Sequence, residues 1–171
     1  MKTNSIVLTT LALLFCVSLS FAQSAYLKIG DIKGESTERA HKDWINIESF
    51  SQGIAKAAID MASGRQRRAA DFEDVMISKK VDKATPQLME LCAKGQVIPE
   101  LELDMVTANG RLYYKLTLNN VRVKSVRTSS AGDAQGTLVD EVAFGFSKIT
   151  WEYWDSEGNK TETSYNIQTG M

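Results

Sequence analysis

The chain has 171 residues, with 20 Lys+Arg against 21 Asp+Glu and a net charge of −1. A balance this close to neutral supplies no global field for nucleic acid or an anionic membrane. One domain with a substantial core fits this length.

Residues 1–22 read as a signal peptide: Met1-Lys2 is positive, Ile6 to Leu19 is mostly apolar, and Ser20-Phe21-Ala22 places small residues where a signal peptidase inspects them. The apolar run is shorter than the roughly 20 residues a membrane span needs, and no charged stop follows it. Lipidation at Cys16 is disfavoured by bulky Phe15 beside it. Cleavage before Gln23 removes Lys2 from the 20 basic residues, leaving 19 against 21 acidic. It also removes Cys16, so Cys92 stands alone and no intramolecular disulfide forms. One histidine and one cysteine cannot build a zinc centre, and no D-x-D-x-D-G calcium loop occurs, so no cofactor or metal is expected.

From Gln23 onward the dominant period is two. Strands are expected at Tyr26 to Ile29, Trp44 to Phe50 and Phe72 to Val81. Between the first two lies the polar run Asp31 to Ile47, DIKGESTERAHKDWINI, which holds the chain's one histidine, His41, amid Glu35, Ser36, Glu38 and Asp43. Segment Ala62 to Ala70 carries Arg65, Arg67 and Arg68 with no apolar anchor, and reads as a projecting loop. A helix is expected at about residues 86–94: Thr85 caps, Pro86 takes the first position, Leu88, Leu91 and Cys92 share a face, and Gly95 closes the end.

Beyond the helix, Leu101, Leu103 and Met105 alternate with Glu100, Glu102 and Asp104. Leu112, Tyr114, Leu116 and Leu118 alternate with polar neighbours in the next strand. Asn109-Gly110 joins the two as a hairpin, since both residue types tolerate positive φ. The apolar phase slips across Asn119-Asn120, before Val121 and Val123. It slips again across Ser147-Lys148, between Val142, Phe144, Phe146 and Ile149, Trp151, Tyr153. A bulge at each slip predicts two long bent strands. A last strand runs from Thr161 to Ile167. The fold class is therefore mainly β, a small β-barrel or sandwich of two sheets with one α-helix.

Catalytic signals are weak. No G-x-S-x-G elbow surrounds any serine, so His41 lacks an evident nucleophile. Carboxylates at Glu100, Glu102 and Asp104 fall on one face of an alternating strand, where a solvated face is the simpler reading than an acid–base pair. The basic run lacks interleaved aromatics and is followed by Asp71, Glu73 and Asp74, which fits a charged contact rather than nucleic acid.

Three segments resemble the Hcp family, the tube proteins of bacterial type VI secretion. They are Tyr26-Leu27-Lys28-Ile29 through Ile32-Lys33-Gly34-Glu35-Ser36 to His41-Lys42-Asp43-Trp44-Ile45; Lys79 to Pro86 with Leu88 and Cys92-Ala93-Lys94-Gly95; and Phe146 to Tyr153. The resemblance spans nearly all of residues 25 to 155. It implies a ring-forming β-barrel that assembles into hexameric rings stacked as a tube, with a sheath, a spike protein and effector proteins as partners. It also implies cytoplasmic synthesis without a cleaved leader, from which residues 1–22 depart.

Three functions follow: a structural ring or tube protein; an exported Hcp-like binding module acting outside a type VI apparatus; and, last, a hydrolase using His41. For the ring reading the candidate subunit-interface residues are Arg65, Arg67, Arg68, His41, Glu100, Glu102 and Asp104.

Overall fold

The computed structural model describes residues 23–56, 70–130, 132 and 136–170. The expected leader and Arg65, Arg67 and Arg68 lie outside them. Among the described residues, eleven strands and one helix follow in the order β1 (Ser24–Ile29), β2 (Ile45–Ile47), β3 (Ser49–Ser51), β4 (Ile54–Lys56), β5 (Ala70–Phe72), β6 (Val75–Lys80), α1 (Thr85–Lys94), β7 (Val97–Val106), β8 (Leu112–Ser130), β9 (Leu138–Gly145), β10 (Lys148–Trp154) and β11 (Lys160–Asn166).

Nine strands form one antiparallel sheet with the path β2-β1-β7-β8-β9-β6-β3, and β10 with β11 branches from β8; β4 and β5 make a second, two-stranded sheet. The ladder does not close laterally into a barrel. Its two ends, β2 and β3, are successive in the chain with Glu48 alone between them, so covalent continuity brings the path round. The concave side holds the core: Leu27, Ile29, Ile45, Leu101, Leu103, Leu116, Leu118, Val121, Phe144 and Ile149 are fully buried, with Leu88 of α1 among them. These are the residues the two-residue alternation points inward.

Strand β8 is the spine. It pairs with β10 over Tyr114–Asn119 and with β9 over Arg122–Ser130. The changeover falls at Asn119-Asn120, where Asn120 takes φ 52°. Facing it, Ser147 donates its backbone N–H to the Asn119 carbonyl at 3.0 Å, and the Asn120 amide donates to Ser147 Oγ at 2.9 Å. On β8's other side sits Pro99, which has no N–H to offer the ladder. The two phase slips in the sequence therefore meet in space, and each marks a change of partner. Two expectations are corrected by this. The β8–β9 ladder shifts register between Val123 and Ser125, and no ladder of β8 shifts at Asn119-Asn120; residues 138–154 form two strands rather than one bent one.

Two local assignments also differ. The α1 N-cap is Ala84, not Thr85; Asp82 Oδ1 accepts the Ala84 N–H at 2.9 Å, and the Thr85 hydroxyl is turned elsewhere. In the β7–β8 hairpin Gly110 alone has positive φ, +79°, while Asn109 keeps an ordinary one. Gly110 donates to the Thr107 carbonyl at 2.8 Å and Thr107 to the Arg111 carbonyl at 2.9 Å, as in a type I turn closed by a glycine bulge; a separate register shift follows at Met105/Val106, where the ladder passes over Tyr113. Gly95 closes α1 at φ 60° as expected, its N–H reaching Cys92.

Candidate functional site

The convex face of β1, β7, β8, β10 and β11 carries a ladder of charge. Register places Lys28 opposite Glu102, Lys115 opposite both Asp104 and Glu152, and Glu152 opposite Glu162. Lys28 Nζ lies 2.9 Å from Glu102, which also accepts from Lys115; Lys160 bridges Glu152 and Glu162. Burial works against the charge on Glu102, yet hydrogen bonds from Lys115 and Lys28 outweigh it and hold its carboxyl below the usual range. Burial likewise opposes the Lys115 ammonium, but its contact with Glu102 and the nearby Asp104 push its pKa up. An exposed pair of this kind contributes about 0 to 1 kcal/mol; the half-buried Glu102–Lys115 pair is the one with fixed geometry.

The loop 31–44 folds over one end of this ladder. Its backbone is self-paired: Gly34 N–H donates to Asp43 O at 2.7 Å, Ser36 to Trp44 at 2.9 Å and Asp43 to Ser36 at 2.9 Å. Gly34 permits the approach, since a Cβ there would fall 2.3 Å from the Trp44 carbonyl oxygen. From the loop tip His41 turns back onto the sheet and is buried. Its Nδ1 lies 2.7 Å from Glu38 Oε2 and its Nε2 3.0 Å from Asp104 Oδ2. The ring stacks on Tyr26 at 4.5 Å and meets Trp44 edge-on at 4.8 Å. Burial pushes the Asp104 carboxyl up, against the pull of His41 and Lys115. Backbone N–H of Ala40 and the His41 side chain hold Glu38 down. Both imidazole nitrogens are thus committed to carboxylates, and neither is free to act as the base of a serine nucleophile.

The structure therefore separates the residues that alternation had grouped. On β7, Asp104 is covered by the loop and occupied by His41, Glu102 is taken by two lysines, and Glu100 stays exposed with a 3.4 Å contact from Asn119. A second charged cluster escaped the sequence reading. Lys79 is fully buried, with Nζ 2.7 Å from Asp82, 3.0 Å from Thr85 Oγ1, 3.1 Å from Asp140 and 2.8 Å from the Lys80 carbonyl. A signal for it existed: Lys79 continues the inward phase of Val75 and Ile77, and Asp140 that of Val142 and Phe144, directly opposite in register. Among the described residues no group of three or more potential metal ligands occurs.

Residues 26–153 match the family model described as type VI secretion system effector, Hcp. The chain is 31% identical over 153 residues to Protein hcp1 of Pseudomonas aeruginosa, covering 87% of this chain and 94% of that one. It is 23% identical over 132 residues to the Major exported protein of the same organism, covering 72% and 76%. Among solved structures, Hcp1 from Salmonella typhimurium superposes with a TM-score of 0.77 at 28% identity, over 87% of this chain and 97% of that one. A second, described as a type six secretion system protein, gives 0.75 at 26% identity over 88% and 99%.

Proposed function

Taking as premise that the chain belongs to the Hcp family and is a tube subunit of type VI secretion, we propose that it is exported and that six copies close into a ring, with rings stacking into a hollow tube able to carry effector proteins. The observation that carries this reading is the family match over residues 26–153 on a fold that accounts for almost the whole Salmonella Hcp1 chain. A closed ring needs a heterologous interface, two different patches of one subunit that meet on successive copies. The arginine segment Arg65, Arg67 and Arg68 supplies one patch of single sign, and Glu100, the β7 carboxylate with no ion pair among the described residues, is the best-placed acceptor; Glu102 and Asp104 support the strand from within.

Export begins, in this reading, with removal of residues 1–22. Mass measurement of the protein recovered outside the cytoplasm should give a chain starting at Gln23, whereas an intact Met1 would place secretion through the type VI apparatus alone. For the ring, changing Arg65, Arg67 and Arg68 together to Glu should leave the circular dichroism of the fold unchanged and remove the hexamer in sedimentation velocity. Raising salt should weaken the native assembly in the same measurement. A triple variant that still sediments as a ring of unchanged stability would move the interface to the strand edges.

A further inference from the structure

The His41 cluster has a proton requirement that its coordinates alone impose. Glu38 and Asp104 as carboxylates only accept, and a neutral imidazole has one N–H. Two contacts of 2.7 and 3.0 Å, one at each nitrogen, need two hydrogens. Either the ring is an imidazolium or one carboxyl carries the hydrogen. In both cases the docked cluster holds one proton more than the same three groups with a neutral ring and two carboxylates. We propose that His41 is a proton-taking latch: loop 31–44 docks on β7 with capture of one proton, stays latched at and below neutral pH, and is released in alkali.

The groups that face the cluster are consistent with this. Tyr26 and Lys28 come from β1, Lys28 lying 5.8 Å above the Trp44 ring; Glu102 and Asp104 come from β7; Lys115 comes from β8, its Nζ 3.8 Å from Asp104 Oδ1. That Oδ1 is buried and has no hydrogen-bond partner, a position at which a carboxylate is least comfortable. Burial raising Asp104 and donors lowering Glu38 place the extra proton on the His41–Asp104 side.

The sign follows from linkage. An imidazole in water is neutral above about pH 6.5. Docking above that pH must take a proton from solvent, so it weakens with rising pH, by at most about tenfold per unit. In acid the two carboxylates act oppositely. Glu38, held low, contributes docking that is lost only as pH falls through its depressed range; Asp104, held high, binds its proton more readily docked than undocked and strengthens docking as pH falls.

The test is amide hydrogen exchange on the purified full chain from pH 6.5 to 9.5, corrected for the intrinsic exchange rate. The amides of Gly34, Ser36 and Asp43 report the loop, and Leu103 reports β7. The opening constant of the three loop amides should rise about three- to tenfold per pH unit, while that of Leu103 stays level. Asp104→Asn is the decisive variant, because its amide N–H can donate to Nε2 of a neutral ring and so abolishes the need for the second proton. It should keep the loop docked and remove the slope. A level wild-type profile, or a slope as steep in Asp104→Asn as in wild type, would overturn the proposal. If that variant does not fold, the wild-type profile against Leu103 decides alone.

Discussion

Two buried charge clusters hold this fold, and they are built on opposite plans. Around Lys79 every partner belongs to regular structure or to the turn that starts α1: β6 supplies the cation, β9 Asp140, β8 Thr128 and α1 Thr85. None of its buried side-chain polar atoms lacks a hydrogen-bond partner. Around His41 the sheet supplies Tyr26 and Asp104, but the imidazole and Glu38 arrive on a loop, and Asp104 Oδ1 is left over. The first cluster ties helix to sheet and can be removed only with the fold. The second ties a loop to the sheet and can open alone, in line with the low opening energy of segments held by few buried contacts.

The sharpest way to break that comparison is Lys79→Met. The substitution keeps an unbranched apolar stem one atom shorter and leaves Asp140 and Asp82 without their cation, Asp140 being fully buried. Loss of one partner from a buried pair costs about 3 to 5 kcal/mol, to be read from urea unfolding. The pH dependence has a definite sign. Burial opposes the Asp140 charge, but hydrogen bonds from Thr128, Thr85 and Lys79 outweigh it and hold its carboxyl below the usual range. Its contribution is therefore fully present above the ordinary Asp value near 3.9 and is lost as pH falls through the depressed folded value. The Lys79 cluster fails in acid, and the His41 latch in alkali. Unfolding of wild type and Lys79→Met should converge at low pH; a gap that persists unchanged below pH 3 would show that packing, not charge, explains the loss.

Thr85→Ala is expected to be intermediate. As a helix cap the hydroxyl would be worth about 1 kcal/mol. In the structure it instead accepts from Lys79 Nζ and the Asp82 N–H and donates to Asp140, while capping falls to Ala84. Leaving three buried partners short costs about 1 to 3 kcal/mol. In a double-mutant cycle with Lys79→Met the two losses should be strongly non-additive, as expected for one network. Additive losses would return Thr85 to the role of an isolated cap.

That difference shows what a sequence exposes and what it hides. Alternation reaches any residue whose inward or outward phase decides its burial, so Leu101, Leu103, Leu116 and Leu118 are legible, and so are the slips at Asn119-Asn120 and Ser147-Lys148, because a change of strand partner must interrupt the phase. It does not say that the two slips face each other, since that depends on a pairing 28 residues apart. Lys79 was hidden by its own type: a lysine beside Lys80 reads as solvated unless the phase of Val75 and Ile77 is carried one step further. Asp104 was hidden differently. Its outward phase is correct, but the loop that covers it belongs to a segment 63 residues earlier, and nothing local records that contact.

The smallest effect on stability is expected at Glu100, and it extends the comparison to the third carboxylate of the β7 face. Glu100, Glu102 and Asp104 share one side of the strand, yet their surroundings grade from solvent, through two lysines, to a buried imidazole. Charge reversal at the buried end would disrupt the protomer, whereas Glu100, among the described residues, meets only the Asn119 amide, at 3.4 Å. Glu100→Arg should thus change the unfolding free energy by no more than about 0.5 kcal/mol. If the exposed carboxylate meets the arginine segment of the next copy, the same substitution places like charge against like charge at every joint of the ring. The assembly should then shift toward smaller species in sedimentation velocity, and combining Glu100→Arg with Arg65, Arg67 and Arg68 changed to Glu should recover part of the ring. A variant that is both stable and fully assembled would place Glu100 in solvent in the ring as well, and would leave the β7 carboxylates with duties only inside their own subunit.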